Sequence, residues 1–168
     1  MSARSPLRVA VTGHRFFDEA AAAYISDRVG EVLDAAGAEE RPVRVVTSLA
    51  EGADQLVAQV AIRRGIPVEV IVPAAGYAES LAAEQDRRQY RELVAQADTV
   101  RTLEHPAPSP AAYLDAGLAM LAGADRLIAV WDGGPARGVG GSAEIVARAR
   151  ELGLDLQVIW PPGYDRPR

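Results

Sequence analysis

The residues best suited to chemistry stand in one glycine-rich stretch: Asp132-Gly133-Gly134-Pro135-Ala136-Arg137-Gly138-Val139-Gly140-Gly141-Ser142. An apolar run precedes it, and a helical pattern follows at once. Glycines let the backbone approach a ligand closely and turn its amides into a shared concavity. A helix amino terminus adds unpaired N–H groups and partial positive charge, which suits phosphate. Arg137 adds a guanidinium able to pair bidentately with an anion. The plainer alternative is a surface turn with Ser142 as an ordinary helix cap.

Two further clusters have similar promise. Thr12-Gly13-His14-Arg15 follows the first apolar run directly. There Gly13 permits a tight turn, His14 offers a hydrogen bond or a ring face, and Arg15 a charge for phosphate. Ser48-Leu49-Ala50-Glu51 has capping-box spacing, which is enough to explain Ser48 and Glu51 structurally. Gly52 then allows close approach, and Asp54 can accept hydrogen bonds from a ribose or a base. Asp132 stands at the tip of a strand, where ligand contacts are favoured. Glu144, in the first turn of the last helix, either complements the helix dipole or serves as a catalytic carboxylate.

Other titratable groups read as structural. His105 lies beside Pro106 in a polar loop, and Arg87, Arg88 and Arg91 read as a solvated helix face, the alternative being a substrate-phosphate contact for one of them. The two histidines are far apart and make no metal motif. The chain has no cysteine, which removes disulfides, thiolate metal sites and thiol catalysis. It also has no lysine, which removes Schiff-base chemistry and the P-loop lysine. No serine sits in a nucleophile elbow, and Gly13 does not open a GxGxxG fingerprint. Hydride transfer is therefore disfavoured, and no cofactor is expected.

The elements that must position these groups alternate strictly. Strands are expected at Leu7–Thr12, Val43–Thr47, Val68–Val72, Thr99–Leu103, Leu127–Trp131 and Leu156–Trp160. Between them fall helices: one capped by Asp18, one around Leu56–Ala61 ending near Gly65, and one over Glu79–Ala97. A fourth begins at Ser109-Pro110, and a fifth covers Ser142–Leu152, stopped by Gly153. After Pro161-Pro162 a loose tail is expected. Strands alternating with helices imply a mainly parallel sheet of about six strands in a three-layer α/β/α, Rossmann-like arrangement. In such sheets ligands bind beyond the carboxyl ends of the strands, where strand order reverses.

Val11-Thr12-Gly13-His14-Arg15, Ser48-Leu49-Ala50-Glu51-Gly52-Ala53-Asp54 and Gly140-Gly141-Ser142-Ala143-Glu144, in that order, resemble the SLOG superfamily. That group takes in DprA and the LOG phosphoribohydrolases. The resemblance runs from about residue 7 to 160 and is strongest to stand-alone members with a Gly-His-Arg start. It implies a nucleotide or nucleotide-derived ligand, with Gly13, Arg15, Gly52, Asp54, Gly140, Gly141 and Ser142 lining the site. The enzymatic branch releases a base and ribose 5-phosphate from a nucleoside monophosphate. Its catalytic glutamate stands three positions after a threonine. Here Ser142 takes the threonine place, three positions later stands Ile145, and Glu144 is one residue early. One residue turns a helical side chain by about 100°, so Glu144 is not expected to face the site squarely.

The 168 residues, 49% hydrophobic and 24% charged, suit one domain spanning the chain. No run approaches the roughly 18 apolar residues of a membrane span, and no signal-peptide pattern opens the chain, so a cytoplasmic protein is expected. The net charge of −5 argues against broad attraction to nucleic acid or anionic membranes. A homodimer is expected from the resemblance. The leading expectation is a nucleotide-binding or sensing protein, the alternative a nucleoside 5′-monophosphate N-glycosidase using Glu144.

Overall fold

In the computed structural model, which describes residues 4–135 and 141–167, β-branched runs form six strands: β1 Leu7–Gly13, β2 Val43–Thr47, β3 Val68–Val72, β4 Thr99–Thr102, β5 Arg126–Val130 and β6 Asp155–Ile159. They make one sheet in the order β4-β3-β2-β1-β5-β6, with every neighbouring pair parallel. The helices are α1 Glu19–Gly37, α2 Ala53–Arg63, α3 Tyr77–Ser80, α4 Glu84–Gln96, α5 Pro110–Leu121 and α6 Ser142–Glu151. The expected three-layer α/β/α arrangement is therefore present.

The alternation of side chains along each strand builds two cores. Val9 and Val11 of β1 pack with Ile25 and Leu33 of α1, Val57 of α2 and Leu93 of α4. On the opposite face, Ala10 of β1 and Leu127 of β5 pack with Met120 of α5 and Ile145 of α6. Residues of α1 to α4 thus join one core and those of α5 and α6 the other. Strand order reverses at β1, whose neighbours are β2 and β5. The chain leaves β1 toward one face and β5 toward the other, opening a crevice between their carboxyl ends.

Several helix signals act as expected. Asp18 accepts the Ala21 N–H at 2.8 Å, and Ser109 accepts the Ala112 N–H at 3.0 Å with Pro110 opening the helix. Three expectations need correction. The helix expected over Glu79–Ala97 is two helices, because Leu81 turns extended and buries itself in the core. Arg87 closes that break by donating to the carbonyls of Leu81 at 2.5 Å and Ala82 at 3.2 Å. The capping box at Ser48 does not form: α2 begins after Gly52, with no side-chain cap. The segment after Pro162 is not a loose tail. The Tyr164 hydroxyl accepts the Asp18 N–H at 3.0 Å, and Trp160 Nε1 donates to the Tyr164 carbonyl at 2.8 Å.

No helix among the described residues is long and apolar enough to cross a membrane.

Candidate functional site

The carboxyl end of β1 is fixed by contacts that leave no room for a side chain at Gly13. A Cβ there would stand 2.4 Å from Ala53 Cβ and 2.9 Å from the Val130 carbonyl oxygen. The next residue locks the same junction through its backbone. His14 N–H donates to Val130 O at 2.9 Å, and His14 O accepts from Ala53 N–H at 3.1 Å. One tight turn therefore joins β1, β5 and the start of α2.

The imidazole of His14 is buried, its ring edge-on to Trp160 at 5.1 Å. Its Nε2 lies 3.0 Å from Asp132 Oδ1 and 3.2 Å from the Asp132 backbone N. One ring nitrogen serves only one of these at a time: protonated, it donates to the carboxylate; unprotonated, it accepts from the amide. Burial raises the pKa of Asp132, but the Gly134 N–H, His14 and the Arg166 charge outweigh it and hold the carboxyl below its usual range.

The loop after β2 is turned by Leu49, a non-glycine residue at φ 55° whose side chain is fully buried. This left-handed turn, stabilised by the Leu49 N–H donating to Thr47 Oγ1 at 3.1 Å, brings Asp54 back against its own loop, where it accepts the Ala50 N–H at 3.3 Å. Burial pushes the Asp54 carboxyl up to about 7, against the lowering pull of the Ala50 amide, the Arg15 charge and donors at Ser48 and Thr47. Burial, then the Asp54 charge, likewise raises the Tyr77 hydroxyl well above its ordinary value.

Arg15 is held from two sides. Its Nη1 lies 3.6 Å from Glu51 Oε1, and its guanidinium sits 5.4 Å from the centre of the Tyr113 ring. The Glu51 side chain is 5% exposed, and its Oε2 has no hydrogen-bond partner among the described residues. Gly52, with φ 81°, does not line the cavity: a Cβ there would be 2.3 Å from the Arg15 carbonyl oxygen. Its close approach is to the Arg15 backbone.

These elements enclose a cavity of about 440 Å³ at the sheet edge. Gly13, His14, Arg15, Ser48 and Asp54 line it, as do Gly141 and Ser142 at the amino terminus of α6. Gly141 is the cap residue and Ser142 the first helical one, its Oγ 3.5 Å from Thr12 Oγ1. Asp132 touches His14 but is not itself among the residues on the wall. Arg137, Gly138 and Gly140 lie outside the described residues. Ile145, not Glu144, is on the cavity wall among the described residues. It packs so closely on α5 that a Cβ at Gly117 would fall 2.4 Å from its Cδ1. His105 lies off this wall, with its Nε2 2.7 Å from Asp115 Oδ2.

Sequence reasoning missed much of the aromatic and carboxyl-terminal wall: Phe16, Tyr113, Trp131 and Arg166. One signal was present in the paired phenylalanines after Arg15. Phe17 packs against the core, while Phe16 is 60% exposed beside the cavity. No group of three or more metal-ligating side chains occurs among the described residues.

No protein-family model and no curated protein matches this chain. Among solved structures, it is similar to DNA processing protein A (DprA) from Streptococcus pneumoniae, at 18% identity and a TM-score of 0.69, over 95% of this chain and 52% of that one. It is also similar to DprA from Helicobacter pylori, in a structure describing that protein's single-stranded DNA binding mode, at 16% identity and a TM-score of 0.66 over 95% of this chain and 68% of that one. A third is the structural-genomics target TM1055, at 16% identity and a TM-score of 0.55 over 89% of this chain and 71% of that one. At these identities the likeness is one of fold. This chain spans about half the length of the S. pneumoniae protein.

Proposed function

We propose that this chain binds a nucleotide or nucleotide-derived small molecule across the carboxyl ends of its central strands. The observation supporting this most directly is the composition of the 440 Å³ cavity. Its size is that of a small-molecule site. At one end stand the Gly13 turn and the α6 amino terminus, groups suited to phosphate. Elsewhere the wall is aromatic and apolar, with Phe16, Tyr113 and Met120 offering faces to a base. Strand ends about 5 Å apart spread this wall over about 14 Å from β3 to β5, enough for an extended mononucleotide.

The N-glycosidase alternative gains no support from the wall. The carboxylate it invokes, Glu144, is not on the described wall, where Ile145 stands instead. Nucleic acid was set aside on the acidic net charge and the lack of an aromatic-basic strip. The fold is shared with a protein whose structure describes single-stranded DNA binding, so the test includes oligonucleotides.

That test is a thermal-shift series against mononucleotides, dinucleotides, NAD, ADP-ribose, cyclic dinucleotides and short single-stranded DNA. A ligand at about 100 times its Kd stabilises by about 2.7 kcal/mol. In a chain of this size the unfolding midpoint then rises by about 5–10 °C. A rise with one nucleotide class supports the reading; a rise with DNA alone replaces it; no rise with any compound refutes it.

A further inference from the structure

The cavity's two described arginines stand in different surroundings. Arg15 belongs to the β2–β3 side. Glu51 lies 3.6 Å from it, Tyr113 lies under it, and its charge is felt at Asp54 and Tyr77. Part of its positive charge is therefore balanced by the Glu51 carboxylate. Arg166 belongs to the other side, where its charge reaches Asp132 just beyond β5. It arrives there on the segment that follows β6, and with Pro167 it forms part of the cavity wall.

That segment is built into the site. Trp160, directly after β6, sets its ring edge-on to His14 at 5.1 Å and its Nε1 on the Tyr164 carbonyl at 2.8 Å. The rings of Trp160 and Tyr164 are 5.5 Å apart. The Tyr164 hydroxyl closes the loop by accepting the N–H of Asp18, the cap residue of α1, at 3.0 Å. Two anchors therefore fix the approach of Arg166, one on the His14 wall and one on α1.

We propose that Arg166, delivered by the folded-back segment Pro161–Pro167, is the residue that pairs with the ligand's phosphate, while Arg15 serves the sugar or base end. This rests on the nucleotide reading above and assigns the ends of that site. Tyr164 is a positioning residue in this arrangement. The phosphate lies between the α6 amino terminus and the Arg166 guanidinium, whose planar fork suits bidentate pairing with it.

The experiment compares each nucleoside 5′-monophosphate (AMP, GMP, CMP, UMP) with its nucleoside by calorimetric titration of the whole chain. The ratio of the two affinities measures the phosphate contribution. In Arg166→Ala that ratio falls by about tenfold to a hundredfold, the range for a hydrogen bond to a charged group, while nucleoside affinity is unchanged. Arg166→Lys retains part of it, because the charge remains and the fork is lost. Tyr164→Phe lowers it in the same direction by less. Arg15→Ala weakens nucleotide and nucleoside alike, leaving the ratio intact. If Arg166→Ala keeps the wild-type ratio, or Arg15→Ala abolishes it, the assignment is overturned while the nucleotide site stands. If no monophosphate binds the wild-type chain more tightly than its nucleoside, the phosphate assignment falls. Unfolding midpoints of the unliganded variants separate loss of the contact from loss of the fold.

Discussion

Asp54→Asn tests the electrostatics of the cavity without reference to any ligand. In the folded chain the carboxyl's pKa is raised from 3.8 to about 7, chiefly by burial. In the unfolded chain it ionises near its ordinary value. Below about pH 4 both states hold the proton and Asp54 costs nothing. As pH rises toward 7, the unfolded carboxyl ionises while the folded one does not, so stability falls. Above about 7 both are ionised and the cost is constant. A shift of about three units corresponds to about 4 kcal/mol. Between pH 4.5 and 8 the share still to be lost is about 3 kcal/mol. Asparagine has nearly the same shape and no charge to desolvate, and any misfit of its amide against the Ala50 N–H is the same at every pH. The assay is urea unfolding of both proteins at pH 4.5, 6, 7 and 8. The stability of Asp54→Asn relative to wild type is expected to improve by about 3 kcal/mol across that range, equivalent to about 6–12 °C in midpoint. A relative stability that does not change with pH refutes the reasoning, because it requires Asp54 to ionise alike in both states.

Two packing predictions bear on the walls of the same cavity. Gly13→Ala is expected to cost about 3 kcal/mol, the upper range for overpacking, because its Cβ would meet the Val130 carbonyl at 2.9 Å, and that oxygen belongs to a central strand that cannot yield. Urea or thermal unfolding reads the loss, and a cost under 1 kcal/mol would mean that the turn is looser than the contacts imply. At Gly117 the obstacle is only the flexible end of Ile145, 2.4 Å away. Gly117→Ala gains about 1 kcal/mol of helix propensity and loses a similar amount to the clash. In the Ile145→Val background, which lacks that end atom, the same change should stabilise by about 0.5–1 kcal/mol, and a double-mutant cycle measures the coupling.

The sheet was legible because parallel strands buried on both faces leave continuous apolar runs. Val68–Val72 and Val43–Thr47 match their expected ranges. The strands expected at Leu127–Trp131 and Leu156–Trp160 each lie one residue later than β5 and β6. Trp131 and Trp160 are as apolar as the strands they follow, and periodicity alone does not mark where pairing stops. The break at Leu81 was hidden for a related reason: an apolar residue in a polar, arginine-rich stretch fits a helix until a core position claims it. Gly13 was legible as a tight turn. The role of Gly52 was not, because its partner is the Arg15 backbone, a contact between loops separated by a strand and a helix.

Three residues of the wall come from elements that carry no phosphate-binding motif. Tyr77 comes from the short helix after β3, Tyr113 from α5, and Arg166 from beyond β6. In sequence, a tyrosine at helical spacing reads as core, and an arginine near proline reads as solvated. Their convergence follows from strand order, since reversal at β1 gathers the ends of β3, β2, β1 and β5 onto one edge. The held geometry has an energetic consequence. Arg15 is fixed by Glu51 and Tyr113, and the segment bearing Arg166 by Tyr164 and Trp160. Side chains already ordered lose less entropy when a ligand arrives. The buried Asp54 and the Glu51 oxygen without a partner among the described residues destabilise the fold, and both lie where they hold or adjust Arg15. Stability surrendered at the edge where the cationic side chain is positioned fits a wall shaped for a ligand better than one shaped for folding alone.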